Sequence, residues 1–283
     1  MAASLPPLVT ADWLAGQLGQ PDLVVFDATY YMSAEAKDGE VEFLSEHIPG
    51  ARFFNIDQVA DTETDLPHMA PTAGRFARLV SEMGVSNDSR VIFYDQKGIF
   101  SAPRGWWLFR LFGHDRVAVL DGGLPAWLAA QRPVETGTAS AFAPAVFHPR
   151  LRAGLLRGLG DMALNLQSGA EQVLDARSRD RFSGAAPEPR PGLSSGHMPG
   201  SLNVPFTELL NADKTMKSPE ALRAVLAAAG FEPSRPAVCS CGSGLTATVV
   251  SLGLVAAGYG SGAIYDGSWT EWAAQPDASI AKG

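Results

Sequence analysis

The chain has 283 residues and a formal net charge of −8, with a pI of about 5.1. An acidic chain without a basic stripe argues against nucleic acid and against an anionic membrane surface as binding partners. Its two cysteines, Cys239 and Cys241, are too few and too close for a disulfide framework, which favours a reducing compartment. Because no targeting segment and no apolar run of about 20 residues is visible, we expect a cytoplasmic protein.

Short apolar strands alternate with helical patterns along the first half of the chain. Runs rich in β-branched and aromatic residues predict strands, and apolar residues at helical spacing predict helices. In chain order the predicted elements are a strand at Leu23–Ala28, a helix at Phe76–Met83, a strand at Arg90–Tyr94, a helix at Arg104–Phe112, a strand at Val117–Leu120 and a helix at Pro125–Ala130. Residues 136–150 contain prolines and lack helical spacing, which predicts an extended linker.

The second half shows the same alternation. The predicted elements are strands at Val173–Ala176, Ala237–Ser240 and Ala263–Tyr265 and helices at Pro219–Ala229 and Thr246–Ala257. Short strands that alternate with helices predict an α/β fold with mainly parallel sheets. Ligands in such folds bind beyond the carboxyl ends of the strands, and Cys241 lies at one of these ends.

Three motifs recur in the same order in the two halves, which predicts a duplicated domain. The offsets are 148, 150 and 145 residues, and the pairs are Leu23–Ala28 with Gln172–Arg177, His47–Ala51 with His197–Ser201, and Val119–Trp127 with Ile264–Trp272. We therefore predict one domain at residues 1–135, the linker at 136–150 and a second domain at 151–283. Because His47 and His197 occupy the same turn in both halves, we interpret both as structural.

The run from Cys241 to Ala247 ends a strand, turns through Gly242 and Gly244 and begins a helix. Backbone N–H groups of residues 242–246 can converge on the cysteine sulfur, which favours the thiolate, the nucleophilic form. A plain strand–helix turn would also contain glycines, and the cysteine at its start is what favours a catalytic site. Cys239, inside the strand, is expected to be a small buried hydrophobic residue.

An ordered set of segments gives the chain a family resemblance. The segments are His47–Asp57, Ser101–Arg104, Leu120–Gly123, Cys241–Thr246 and Tyr265–Trp269. The set resembles the rhodanese superfamily and, within it, the mercaptopyruvate sulfurtransferases, over about residues 23–272. The resemblance implies two tandem rhodanese-like domains, each with a mainly parallel sheet flanked by helices. The first is implied to be catalytically inactive, because Asp95 stands where Cys241 stands in the second.

The resemblance also implies a substrate and a route for sulfur. Sulfur would move from 3-mercaptopyruvate through a persulfide on Cys241 to a thiol, a thioredoxin-like protein or cyanide, with release of pyruvate. Arg181 and Arg190 match the pair that binds the donor, and a planar guanidinium can hold a carboxylate through two hydrogen bonds. Thiosulfate enzymes carry cations in the loop, whereas Ser243 and Leu245 stand there in this chain, which favours a donor with its charge on a carboxylate.

The remaining implied site residues handle protons and the sulfur. Ser243, His68 and Asp57 match a hydrogen-bonded set in which an imidazole can move a proton near neutral pH. The loop residues Gly242, Gly244, Leu245 and Thr246 would surround the sulfur. We expect no cofactor and no metal, because neither a zinc-like spacing nor a phosphate-binding glycine motif occurs.

Three other functions stay open on the sequence. The same fold could use thiosulfate, or the chain could be a non-catalytic rhodanese-like module that binds a protein. A phosphatase also places a cysteine at a strand–loop–helix turn. Its loop closes with an arginine, and no arginine follows Cys241 in this chain.

Overall fold

The computed structural model describes residues 5–139 and 141–283, which form two compact units. Among these residues, unit 1 contains 5–62, Ala70–Arg152 and Asn211–Met216. Unit 2 contains Glu63–Met69, Ala153–Leu210 and Lys217–Gly283. Residues 1–4 of the predicted first domain and residue 140 of the predicted linker lie outside the described residues.

Unit 1 is built around a five-stranded sheet in which all neighbouring strands are parallel, in the order β1-β5-β4-β2-β3. Its strands are β1 (Leu8–Val9), β2 (Leu23–Asp27), β3 (Arg52–Phe53), β4 (Arg90–Tyr94) and β5 (Val117–Leu120). Its helices are α1 (Ala11–Ala15), α2 (Gly39–Ser45), α3 (Ile56–Val59), α4 (Ala73–Glu82), α5 (Ala102–Leu111) and α6 (Gly123–Ala129), with a 3-10 turn at Ser33–Glu35.

Unit 2 repeats this architecture with the sheet order β6-β10-β9-β7-β8, again parallel throughout. Its strands are β6 (Leu156–Arg157), β7 (Gln172–Asp175), β8 (Leu202–Asn203), β9 (Ala237–Ser240) and β10 (Ala263–Tyr265). Its helices are α7 (Leu159–Ser168), α8 (Arg179–Ser183), α9 (Pro219–Ala228), α10 (Ala247–Ala256) and α11 (Ser268–Trp272), with 3-10 turns at Ala153–Leu155 and Phe206–Leu209. The predicted α/β class, with two parallel-sheet domains, is confirmed.

Helix α10 is apolar on all sides, and most of its residues are buried. A helix of this composition belongs in a protein interior, because no polar face is available for water. It packs against β9 and β10 and therefore fixes the direction in which the chain leaves β9. The loop that joins β9 to α10 is the one that begins with Cys241.

The predicted strands agree with the observed ones to within one residue at each end, but several helices begin earlier than predicted. Helix α4 begins at Ala73 rather than Phe76, because the hydroxyl of Thr72 accepts the N–H of Arg75 and caps a first turn without an apolar signal. Helix α5 begins at Ala102 rather than Arg104, with Pro103 in its first turn. Apolar spacing locates the buried face of a helix and misses its cap.

Residues of the predicted linker pack onto unit 1. Ala145 donates its N–H to the carbonyl of Ser81 (2.9 Å), and the buried ring of Phe147 contacts Phe76, with centroids 5.8 Å apart. The division between the units falls after Arg152. Within the described residues, no helix is long and apolar enough to cross a lipid bilayer.

Candidate active site

Cys241 directly follows the central strand β9, at the carboxyl edge of the unit 2 sheet. It is 2% exposed. Its N–H donates to the hydroxyl of Ser268 (3.1 Å), and its carbonyl accepts the N–H of Trp269 (3.0 Å). Both partners belong to α11, so the backbone of Cys241 is held in place by the element that follows the neighbouring strand β10.

The cysteine loop, residues Cys241–Thr246, needs its two glycines for different reasons. Gly244 has a φ of 76°, a left-handed conformation in which glycine is favoured because it has no β carbon. At Gly242 the reason is space, because a β carbon there would lie 3.0 Å from Nη2 of Arg181. The cationic end of Arg181 therefore lies directly beside the cysteine loop.

The end of the cysteine loop presents unused backbone donors. Across residues 5–139 and 141–283, no acceptor is hydrogen-bonded to the amide N–H groups of Leu245, Thr246 and Ala247. These three groups lie at the N-terminus of α10, where the helix dipole also favours an anion. A cysteine at one end of a loop and three unused donors at the other are suited to holding a sulfur anion.

Unit 1 shows what this kind of loop binds. In the aspartate loop, residues Asp95–Ser101, Oδ2 of Asp95 accepts the N–H groups of Phe100 (2.8 Å), Ser101 (2.9 Å) and Ala102 (2.9 Å). Oδ1 accepts the N–H of Lys97 (3.0 Å). The three donors from Phe100 to Ala102 are the counterparts of those from Leu245 to Ala247, because Ala102 and Ala247 begin equivalent helices. The aspartate loop thus binds its own carboxylate, and the cysteine loop is its structural counterpart, with a thiol in place of that carboxylate.

Arg181 lies on α8, which follows strand β7, and it is partly neutralised by Glu188. The side chain of Arg181 is 24% exposed, whereas that of Glu188 is only 2% exposed. Glu188 also pairs with Arg177 (2.8 Å), whose guanidinium is fully buried and stacks 4.3 Å from the ring centroid of Trp269. Arg177 therefore holds Glu188 in place, and Glu188 holds Arg181.

Arg190 follows in the irregular segment after α8 and is half-buried. Of the residues that the structure describes, none forms an ion pair or a hydrogen bond with its side chain. Arg179, by contrast, forms an exposed ion pair with Glu208 (2.7 Å). Arg190 therefore offers an uncompensated positive charge, which suits an anionic ligand.

The three residues predicted to handle protons are placed as follows. Ser243 is buried, and its hydroxyl forms no hydrogen bond with any described residue. His68 is buried, has a φ of 62° and belongs to Glu63–Met69, a segment of unit 2, as Cys241 does. Asp57 lies in the first turn of α3 in unit 1. The joint role of the three residues stays a prediction.

The remaining cysteine and two histidines have structural surroundings. Cys239 is completely buried, and this burial raises the pKa of its thiol, with a smaller contribution from Cys241. Nδ1–H of His47 donates to the carbonyl of Phe43 (2.8 Å), and Nδ1–H of His197 donates to the carbonyl of Phe182 (2.8 Å). Each imidazole also stacks on the ring of that phenylalanine. The same arrangement in both units supports their interpretation as structural residues.

Sequence reasoning missed two residues that shape the site. Ser268 is hydrogen-bonded to the cysteine loop, and Glu188 positions Arg181. A signal for Ser268 was visible in the repeat, because Gly123 occupies the equivalent turn in the first half. Glu188 gave no signal, because its importance comes from packing against Arg177. Among the described residues, no cluster of three or more histidine, cysteine, aspartate or glutamate side chains could hold a metal ion.

Fold and site together define a two-unit α/β protein with a cysteine at the start of a loop whose last backbone N–H groups are unused among the described residues. The rhodanese-like domain family matches residues 10–130 and 159–275. The chain therefore belongs to the rhodanese family, and the family resemblance predicted from the sequence is confirmed.

Individual relatives extend over nearly the whole chain. It is 42% identical to the human 3-mercaptopyruvate sulfurtransferase over 98% of this chain and 95% of the relative. It is 41% identical to the Arabidopsis thaliana thiosulfate/3-mercaptopyruvate sulfurtransferase 1, mitochondrial, over 97% of this chain and 78% of the relative. Among solved structures, SseA from Escherichia coli, described as a 3-mercaptopyruvate sulfotransferase, superposes with a TM-score of 0.85 at 36% identity, covering 94% and 99% of the two chains.

Proposed function

We propose that the protein is a sulfurtransferase that takes sulfur from 3-mercaptopyruvate onto Cys241 and passes it to a thiol acceptor. The observation that carries this proposal is the cysteine loop, with the donors of Leu245, Thr246 and Ala247 unused. The relatives named as mercaptopyruvate sulfurtransferases support the choice of reaction.

Donor binding falls to the two arginines, which contribute differently. Arg190 has no carboxylate partner among the described residues, so it supplies the net charge that attracts the donor carboxylate. Arg181 shares the buried Glu188 with Arg177, so most of its charge is balanced within the protein. Its contribution is directional, through N–H groups held beside Gly242 that can donate to the ketone oxygen.

Sulfur transfer to the enzyme is a nucleophilic displacement at sulfur. The thiolate of Cys241 attacks the donor sulfur, a sulfur–sulfur bond forms and the carbon–sulfur bond of the donor breaks. The electron pair of the broken bond leaves on carbon as the enolate of pyruvate, which takes up one proton to give pyruvate. Cys241 is left as a persulfide, whose outer sulfur accepts hydrogen bonds from the N–H groups of Leu245, Thr246 and Ala247.

We assign delivery of the proton to the enolate to Ser243, His68 and Asp57, the three residues that the sequence predicts to handle protons. The repeat supports this role for His68, because its segment Glu63–Met69 corresponds to Asn211–Met216. His68 and Lys214 are 146 residues apart, and both have a left-handed backbone, with φ values of 62° and 69°. In unit 1 that counterpart segment packs on the aspartate loop, where a β carbon at Gly98 would lie 2.3 Å from the β carbon of Lys214. The same packing in unit 2 would bring His68 to the cysteine loop.

The second half of the reaction returns the enzyme to its starting state. A thiolate of the acceptor attacks the outer sulfur of the persulfide, and the electron pair of the sulfur–sulfur bond returns to Cys241 as a thiolate. The acceptor, a small thiol or a thioredoxin-like protein, leaves as a persulfide. Cyanide serves as an acceptor in the test tube and leaves as thiocyanate.

Thiosulfate is the alternative donor, and the name of the Arabidopsis relative includes both donors. The cysteine loop contains no cationic side chain, with Ser243 and Leu245 in the inner positions. The positive charge lies outside the loop at Arg181 and Arg190, which suits a carboxylate on a carbon chain better than a doubly charged inorganic anion. We expect kcat/KM for 3-mercaptopyruvate to exceed that for thiosulfate, and the reverse order would overturn the choice of donor.

A Cys241→Ser variant tests the chemistry. It should release no pyruvate from 3-mercaptopyruvate, while a Cys239→Ala variant should keep the activity, because the Cys239 thiol is completely buried and lies beside Gly262. Pyruvate release by Cys241→Ser would contradict the mechanism. Complete inactivity of the wild type toward both donors would favour a non-catalytic binding module instead.

We also propose a cytoplasmic location, which rests on the two cysteines, because both are free thiols of the kind that a reducing compartment maintains. The Arabidopsis relative is named as mitochondrial, so location differs within the family. Cell fractionation tests the proposal. Recovery of the protein in an organelle fraction would overturn it.

A further inference from the structure

Ser268 is a fully buried residue with a left-handed backbone, at a φ of 50°. This conformation strains a residue that has a β carbon, so it persists only where the surroundings require it. The hydroxyl of Ser268 accepts the N–H groups of Cys241 and Gly244, both at 3.1 Å, and donates to the carbonyl of Tyr265 (2.8 Å). One strained serine therefore ties down the cysteine loop at two points.

The equivalent position in unit 1 is Gly123, with a nearly identical φ of 57°. No side chain fits there, because a β carbon would lie 2.3 Å from the carbonyl oxygen of Asp95 and 2.4 Å from that of Gly98. The aspartate loop is one residue longer than the cysteine loop, counted to the start of the following helix. The shorter cysteine loop leaves room for the side chain of Ser268, and the longer aspartate loop fills the same room with its own backbone.

The two loops are consequently held in shape by different groups: the aspartate loop by a carboxylate inside it, and the cysteine loop by a serine outside it. The aspartate loop closes around the carboxylate of Asp95, which accepts three of the loop's N–H groups and that of Ala102, the first residue of α5. The cysteine loop has no such internal acceptor, because its interior must receive the transferred sulfur. Converging N–H dipoles repel one another when no anion lies between them, so an empty loop needs another restraint.

We propose that Ser268 is a positioning residue that holds the cysteine loop in its anion-binding shape while the loop is empty. It fixes the backbone on both sides of the Gly242–Ser243 segment and so keeps the donors of residues 245–247 directed toward the sulfur of Cys241. This inference rests on the proposed role of Cys241 as the sulfur carrier. The proposal gives a role in the reaction to a residue that contacts neither 3-mercaptopyruvate nor the transferred sulfur.

A thermodynamic cycle tests the idea without any sulfur chemistry. It combines Ser268→Gly with Cys241→Asp, since an aspartate in the cysteine loop supplies the internal acceptor that unit 1 has. Glycine removes the hydroxyl and relieves the left-handed strain equally in both backgrounds. Any difference between the two Tm shifts therefore measures the coupling between Ser268 and the acceptor inside the loop. We expect Ser268→Gly to lower the Tm of unit 2 by about 2–4 °C more in the Cys241 background than in the Cys241→Asp background. Equal shifts in both backgrounds would overturn the proposal.

A kinetic experiment separates positioning from general stability. In Ser268→Gly we expect the single-turnover rate of pyruvate release to fall about 10- to 100-fold, with KM for 3-mercaptopyruvate unchanged, because the two arginines are untouched. Ser251→Ala is the matched control, since Ser251 is equally buried and its hydroxyl donates to the carbonyl of Gly262 (3.0 Å) outside the loop. That control should keep the wild-type rate. A wild-type rate in Ser268→Gly, or an equal loss in Ser251→Ala, would contradict a positioning role.

The two proposals fail in different ways. Activity of Cys241→Ser would end the persulfide mechanism but leave the thermodynamic cycle valid as a test of Ser268. If Cys241→Ser is inactive but the Tm shifts of Ser268→Gly and Cys241→Asp are additive, the proposed role of Ser268 is refuted and the persulfide mechanism stands.

Discussion

Two equivalent aspartates, Asp27 at the end of β2 and Asp175 at the end of β7, have opposite electrostatic surroundings. Asp175 is paired with the buried guanidinium of Arg177 (2.6 Å). In unit 1 the position of Arg177 is taken by Thr29, which donates its N–H (2.9 Å) and its hydroxyl to Oδ1 of Asp27. Burial raises the pKa of Asp27 to about 7, and the carboxylate of Asp95 adds to the rise, although the hydrogen bonds from Thr29 oppose it.

A raised pKa in the folded state gives stability a definite pH dependence. Between the ordinary pKa of 3.8 and about 7, the folded state holds a proton on Asp27 that the unfolded state has released. The stability that this proton contributes is therefore complete below 3.8 and is lost as the pH rises through about 7. At about 1.4 kcal/mol per pH unit, the loss from about pH 5 to about pH 7 is about 2 kcal/mol.

The Asp27→Asn variant tests this calculation, because the amide keeps the shape and cannot titrate. The assay is the free energy of unfolding in urea, followed by tryptophan fluorescence, for the wild type and the variant at both pH values. We expect the difference between the two proteins to change by about 2 kcal/mol in favour of the variant as the pH rises. Parallel pH profiles for the two proteins would refute the reasoning.

Three further predictions concern the site. Arg190→Ala should raise KM for 3-mercaptopyruvate about 10- to 100-fold with little loss of stability, because a charge-assisted bidentate hydrogen bond contributes about 1.5–3 kcal/mol. An unchanged KM in steady-state kinetics would exclude Arg190 from binding of the sulfur donor. Gly242→Ala should lower kcat/KM, because its β carbon displaces the guanidinium of Arg181, and thermal unfolding should show a nearly unchanged Tm, since that side chain can move. Asp95→Ala should lower the stability of unit 1 by about 2–4 kcal/mol, because it leaves four N–H groups without their acceptor. Formation of the Cys241 persulfide should continue in this variant. Loss of the persulfide without loss of stability would contradict a structural role for Asp95.

The central strands and the cysteine loop could be predicted from the sequence because their signals are local. Strands β4 and β9 are runs of apolar residues bounded by polar turns, and a cysteine next to two glycines is visible in six residues. The edge strands β1, β3, β6 and β8 have two residues each and carry no periodic pattern. Their existence depends on a neighbouring strand that offers free backbone groups, which only the folded sheet provides.

The site was predictable only in part for the same reason. Arg181 and Arg190 were recognised through the family resemblance, but their different charge balance depends on where Glu188 folds back. Ser268 lies 27 residues after Cys241, and only the pairing of β9 with β10 brings the two together. The sequence does show that the glycine of this turn in the first half, Gly123, is replaced by Ser268 in the second. The reason for the replacement became visible only from the geometry of both loops.

The most direct test of the central claim is a mass measurement on the protein after treatment with 3-mercaptopyruvate in the absence of an acceptor. We predict the added mass of one sulfur atom on the peptide that contains Cys241, at the residue itself and not at Cys239, and its removal by cyanide. Release of pyruvate without any sulfur on Cys241, or sulfur bound at Cys239 instead, would contradict the account.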